Sequence, residues 1–450
     1  MNTRCTHHSD ARLFVLSGIT AVLSTLALTA CDPSSASSQG IPRGDTEAED
    51  NASVLVEEGQ RVFRYDSLGS ESFWGDALRV HETIAGAALG GVGPGVSPRT
   101  ALSVGLKVDA EALPGDLRAD LLHGRVDLDD PANTVALLEL DAVVGVRGFL
   151  ENGSLSSVGI SCALCHSTVD DSPLPGIGRR RDGWPNRDLD VGQVIGLAQD
   201  LTPLTDLLGV PEATVREVLG SWGPGRFDAH LVLDGKAFRP DGKSASVLIP
   251  AALGLGGVNL ATYTGWGSVP HWNGFVGNLE MHGKGRFFDP RLDDPVRFPI
   301  ASIAGFGDVT TDDDRITPIL EPLQLYQLAI PVPEPPPGSF DPAAAQRGKE
   351  LFAGKADCAR CHVPPLFTEP GWNAHTADEI GIDDFQAQRS PIERYRTTPL
   401  RGLFIRSKGG FYHDGRFTDL GAVVEHYDQT FALLLSDFEK SDLVEYLKSL

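Results

Sequence analysis

Two short segments carry residue types at a spacing that can do specific chemistry: Cys162-Ala163-Leu164-Cys165-His166 and Cys358-Ala359-Arg360-Cys361-His362. Two thiols set two residues apart can add to the two vinyl groups of a haem. The imidazole directly after them then reaches the iron from one face. Zinc sites and redox dithiols also use paired cysteines, but neither requires a His immediately after the second cysteine in both copies. Only Cys5 and Cys31 lie outside these motifs among six cysteines. The spacing therefore predicts two covalent haem c groups, held by Cys162, Cys165, Cys358 and Cys361, with His166 and His362 as proximal ligands.

Elements must bring these motifs to their partners. Before the second motif, residues 331–342 carry six prolines, whose fixed φ and missing donors exclude helix and central strand. This is the expected interdomain linker. Ala343–Phe352 reads as a helix, with Gly348 four residues before Phe352. Near the end, Phe438, Leu443, Val444, Leu447 and Leu450 have near-helical spacing, and Ser436 or Asp437 can cap them. Gly59 and Phe63 repeat the Gly-x-x-x-aromatic spacing, yet Cys162 lies 99 residues beyond Phe63. That stretch reads either as an insertion in a first haem domain or as part of a separate helical subdomain. Long helical stretches are expected between His166 and Ile330. The expected division is 55–330, a first haem domain with an insertion before its motif, and 343–450, a second haem domain.

The N-terminus reads as an address. Arg4 and Arg12 precede an apolar run from Leu13 to Ala30, and Leu28-Thr29-Ala30-Cys31 resembles the lipobox of bacterial lipoproteins. Residues 1–30 are then a signal peptide, and Cys31 is the acylated residue that anchors the chain to a membrane on the periplasmic side. Asp32 resembles an inner-membrane retention signal. An uncleaved anchor is the alternative, since the run just reaches spanning length. Residues 31–54, small and acidic, read as a flexible tether. The chain has 38 basic and 61 acidic residues, a net charge of −23 that becomes −24 without the signal. Such a chain repels nucleic acid. It suits a basic redox partner, such as a small cytochrome or a cupredoxin.

Two haem c motifs in one exported chain resemble the bacterial di-haem cytochrome c peroxidase and MauG superfamily. The sharper match is the segment from Tyr395 to Tyr427, with Thr-Pro-x-Leu-Arg-like and Tyr-x-His-Asp-Gly-like stretches. The resemblance implies a mainly α fold of two class I cytochrome c-like domains, in which first and last helices cross at a glycine. It implies that the second haem's distal ligand lies 14 residues after His413, at Tyr427. Peroxidases have Met there, the MauG branch Tyr and some relatives His, so His426 and His413 are alternatives. No Met follows Met281, which excludes a His/Met second haem. The peroxidases' distal His soon after the first motif is missing, because no His follows His166 until His230. His271, Met281 and His282 are the later candidates, and the remaining option is an open iron. Arg179, Arg180 and Arg181 read as propionate partners or a solvated loop. Trp184, Trp266 and Trp272 are candidates for a residue between the haems, and Asn186 for a calcium ligand.

Three functions fit these residues: a peroxidase-like oxidoreductase, a membrane-tethered electron carrier with no substrate, and a haem-based sensor. The first is favoured by domain order and by a length beyond what simple carriers need. It also requires an acid or base beside the reacting iron, and no residue is assigned to that role from sequence.

Overall fold

The computed structural model describes residues 46–450. The expected signal peptide, Cys31 and most of the tether lie outside them. About 43% of the described residues are helical, and the strands among them form two-stranded ribbons, so the fold is mainly α. Residues 50–450 form one compact unit that contains both motifs. Among the described residues, no helix is long and apolar enough to cross a membrane.

A helix, α1 (Thr46–Tyr65), begins inside the stretch expected as tether. Glu47 and Glu49 in its first turn complement the helix dipole. Its far end is buried through Val62 and Phe63. There α1 meets α2 (Leu320–Ala329). A Cβ on Gly59 would stand 1.9 Å from the Pro322 carbonyl oxygen, and the Phe63 and Tyr326 rings meet edge-on at 5.5 Å.

The same construction recurs around the second motif. Helix α3 (Pro342–Ala353) starts after Asp341, whose carboxylate accepts from the amides of Ala343 and Ala344. Helix α5 (Asp437–Lys448) starts on a capping box made by Ser436 and Glu439. The two cross where a Cβ on Gly348 would stand 2.0 Å from the Asp442 carbonyl oxygen. Phe352 and Tyr446 meet edge-on at 5.2 Å. Phe438, expected on the apolar face of α5, is instead 64% exposed beneath the Arg347 guanidinium. Helix α4 (Leu420–Phe431), capped by Asp419, packs on α5 and closes this end.

The long helices expected between His166 and Ile330 are absent. The longest helix there is α2, with ten residues. Gly and Pro punctuate this stretch and stop helices early. Residues 146–160 form a hairpin, Val146–Glu151 against Ser154–Ile160, joined by Asn152 and Gly153, both at positive φ. The hairpin hands the chain directly to the first motif, with the Ser161 amide bonded to the Gly145 carbonyl.

Candidate haem sites

Each motif is wound into one helical turn. The amide of His166 bonds to the carbonyl of Cys162 at 3.1 Å, and the amide of His362 to that of Cys358 at 2.9 Å. This closure sets both thiols and the imidazole around one point. Each ring is then fixed from behind. His166 Nδ1 lies 3.1 Å from the Pro250 carbonyl oxygen, and His362 Nδ1 lies 3.0 Å from that of Phe367. A carbonyl only accepts, so Nδ1 carries the hydrogen and Nε2 presents its lone pair. Burial lowers the affinity of both rings for a second proton, His166 to about 4. Neutral imidazoles in a fixed tautomer are what an iron ligand requires.

Burial pushes the Cys162 and Cys165 thiols up to about 12 and Cys358 to about 11. Cys162, Cys165 and His166 are half-buried. Cys358, Cys361 and His362 line a cavity of about 490 Å³, within the ~300–1,000 Å³ range of cofactor pockets. Its walls are mostly apolar and come from α3, α4 and α5, together with the 250–263 and 395–413 segments. The residues present therefore fit a covalently attached haem at each motif.

Around the second motif, Tyr427 and His413 both line the cavity and His426 does not. Burial and the nearby sulfurs of Cys361 and Cys358 raise the Tyr427 phenol above its ordinary value. His413 is 1% exposed and stacks on Tyr395, with its Nε2 sealed and unpartnered. His426 donates from Nε2 to the Ile380 carbonyl at 2.9 Å.

Around the first motif, Met281 is buried in the apolar cluster that also holds Phe63 and Leu253 and packs against Cys162. Its carbonyl accepts from Trp74 Nε1 at 3.1 Å. His282 stacks on Phe73 at 3.6 Å, and burial lowers its pKa to about 4. His271 stands 3.4 Å from Asp289 among the rings of Trp266 and Phe287.

The structure also brings Glu280 to this site, a residue the sequence reading passed over. It closes a π-helical turn, Val276–Glu280, a distortion often found at functional sites. Its Oε1 is sealed from solvent without a partner. Burial, and secondarily the charge of Asp228, raise its pKa well above the usual carboxylate value. Its charge also acts on the Cys165 thiol. The sequence signal was a lone acidic residue in the otherwise uncharged run from Val269 to Met281.

The smaller candidates fall as follows. Arg179 pairs with exposed Glu111, and Arg180 makes a buried pair with Asp109 at 3.0 Å. Arg181 lies over the Trp184 ring. Trp184 meets Phe404 edge-on at 5.9 Å and so touches the second half of the chain. Trp266 donates to Asp289, and Trp272 stacks on Phe275. The Asn186 amide donates to the Gly105 and Leu164 carbonyls, and its Oδ1 accepts from the Asp188 amide. Those bonds hold the first motif's loop.

Sequence and geometry agree with similarity to the di-haem cytochrome c peroxidase and MauG superfamily. The methylamine utilization protein MauG of Methylorubrum extorquens is 33% identical to this chain over 124 residues, 24% of the chain and 35% of that relative. The match thus spans about a third of MauG's length. No family model matches. Among solved structures, a MauG-like protein associated with microbial copper homeostasis aligns over 47% of this chain at 16% identity, covering 77% of that chain, with a TM-score of 0.32. The Kuenenia stuttgartiensis hydrazine synthase aligns over 30% at 24% identity, covering 56% of that chain, with a TM-score of 0.21. Superpositions at these scores do not define the fold.

Proposed function

We propose that this protein is an exported di-haem c-type cytochrome acting as a peroxidase-like oxidoreductase. The observation that carries the reading is the paired motif turn, with each His Nδ1 bonded to a backbone carbonyl. Bound haem supplies iron that reacts with peroxide or oxygen at one site and relays electrons at the other. The chain's own residues supply the rest. His166 and His362 hold the proximal positions. Tyr427, which lines the second cavity, would hold the iron there from the other side, which would make that site the relay and the first motif's site the reacting one. Beside it, Glu280, whose proton affinity burial raises, would serve as the general acid of that site. The crossings at Gly59 and Gly348 support two cytochrome c-like domains, 55–330 and 343–450. A lipid at Cys31 would tether the protein to a membrane. The acidic surface suits a small basic cytochrome or a cupredoxin as redox partner.

The test is the matured, oxidised protein, with its mass and spectrum taken before and after peroxide. Two haems per chain, one of them high-spin and responsive, support the reading. Two inert low-spin haems would instead make the protein an electron carrier. Cys162→Ala with Cys165→Ala should leave one haem, and retention of two would overturn the assignment of the first motif.

A further inference from the structure

Buried arginines in this chain have carboxylates to face. Arg389 is bound by Asp228 and Asp234, Arg239 and Arg416 by Asp383 and Asp414, and Arg180 by Asp109. Arg187, Arg396 and Arg406 break the pattern. The Nε atom of each is sealed from solvent without a hydrogen-bond partner, as are those of Arg180 and Arg239, but here no carboxylate stands opposite. Arg187 also bonds to the Tyr263 hydroxyl, and the other hydrogen bonds go to backbone carbonyls: Arg187 to Lys408, Arg396 to Leu260 and Arg406 to Pro399. Among the described residues no carboxylate pairs with any of the three, in a chain of 61 acidic residues. Burial brings Arg396 and Arg406 down to about 10, so both stay charged at neutral pH. Arg396 and Arg406 repel each other, as do Arg406 and Arg187. Buried cations held without counter-charge are costly, and such a cluster demands an anion.

All three line the cavity of Cys358, Cys361 and His362. A haem attached there presents its two thioethers at one edge and two propionate carboxylates at the opposite edge. We propose that Arg187, Arg396 and Arg406 seat the propionates of the second haem, and that Arg187, which follows the first motif in sequence, makes this seat span both halves of the chain. This rests on the reading of the second motif as a haem site. The role was expected at Arg179, Arg180 and Arg181, whose guanidiniums are engaged with Glu111, Asp109 and Trp184.

The test compares Arg396→Gln, Arg406→Gln and Arg187→Gln in two full-length backgrounds. One is the matured protein. The other carries Cys358→Ala and Cys361→Ala and is shown by mass and absorbance to hold one haem. In the matured protein each change should lower the midpoint potential of the second haem, because a positive charge that disfavours ferric iron is lost. It should also lower the melting temperature by a few degrees. In the one-haem background the same change should raise the melting temperature, since it removes an uncompensated buried cation. A purely structural arginine would destabilise both backgrounds and leave the potential in place, and either result overturns the proposal. If the one-haem chain fails to fold, the potential of the second haem in the matured variants decides. A matured wild-type chain with a single haem would instead overturn the reading of the second motif, and the mass reports this separately.

Discussion

Gly348→Ala sets two physical effects against each other. Alanine favours a helix interior over glycine by roughly 0.5–1 kcal/mol, so propensity alone predicts stabilisation. The crossing predicts the opposite. The new Cβ would sit 2.0 Å from the Asp442 carbonyl oxygen, where real Cβ atoms keep at least 3.0 Å. Helices α3 and α5 must therefore part by about an ångström. A gap of that size forfeits about a quarter to a half of each dispersion contact across it. It also opens the edge-on contact of Phe352 with Tyr446, worth roughly 0.5–1.5 kcal/mol. The paired hydrogen bonds of Arg347 to Asp442 strain as well. Overpacking of this kind costs ~1–3 kcal/mol, so with the aromatic loss and the propensity gain the net effect is destabilisation of about 2–3 kcal/mol. Urea unfolding of the matured protein, followed by tryptophan fluorescence and by haem absorbance, measures it. A variant as stable as the parent, or more stable, would refute a tight crossing at Gly348.

Three further outcomes are expected. Tyr427→Phe should change the oxidised spectrum and raise the potential of the second haem, whereas His426→Gln, whose ring is committed to the Ile380 carbonyl, should leave both nearly unchanged. The reverse pattern would hand the ligand role to His426, and no change in either would point to His413. Glu280→Gln should slow the reaction with peroxide by roughly 10²–10⁴-fold without loss of haem. In the parent protein, stopped-flow rates should fall as pH rises through the raised Glu280 pKa, because a general acid acts only while protonated, and a flat profile would remove it from that role. Arg389→Ala strands Asp228 and Asp234 in the interior and should cost about 3–5 kcal/mol in denaturant unfolding, so a loss below ~1 kcal/mol would show that the carboxylates find other partners.

The parts of the molecule governed by short-range chemistry were legible in the residues. The motif turns follow from spacing, the cap at Ser436 from its hydrogen-bonding side chain, and the glycine crossings from one residue type four positions before an aromatic. The hairpin ahead of Cys162 was legible as well, since Asn152-Gly153 is a strong turn signal, but the apolar run around it drew attention to burial instead. What could not be read was pairing across long separations. Nothing near Glu280 in sequence announces Cys165, 115 positions earlier. Nothing near Arg187 announces the cavity of a motif 171 positions later. The Arg179–Arg181 run suggested a cluster because adjacency is visible in a sequence, whereas the enclosed arginine cluster joins Arg187 to Arg396 and Arg406, some 210 positions later. Periodicity misled at Phe438, where it implied burial and the ring instead lies exposed beneath a long arginine side chain.

Pro250 joins the two centres in a way that bears on how fast charge could cross between them. Its carbonyl holds the His166 ring, and the same residue forms part of the wall behind which Cys358 and His362 lie. One proline thus serves as a spacer between the first proximal ligand and the second pocket. Its pyrrolidine locks φ, so this spacer is stiff. Tunnelling rates fall steeply with separation, and a soft bridge would spread them over a wide range. A bridge fixed by one hydrogen bond and one ring keeps the separation narrow, so a crossing by this route would be set once at folding and need no domain movement to begin.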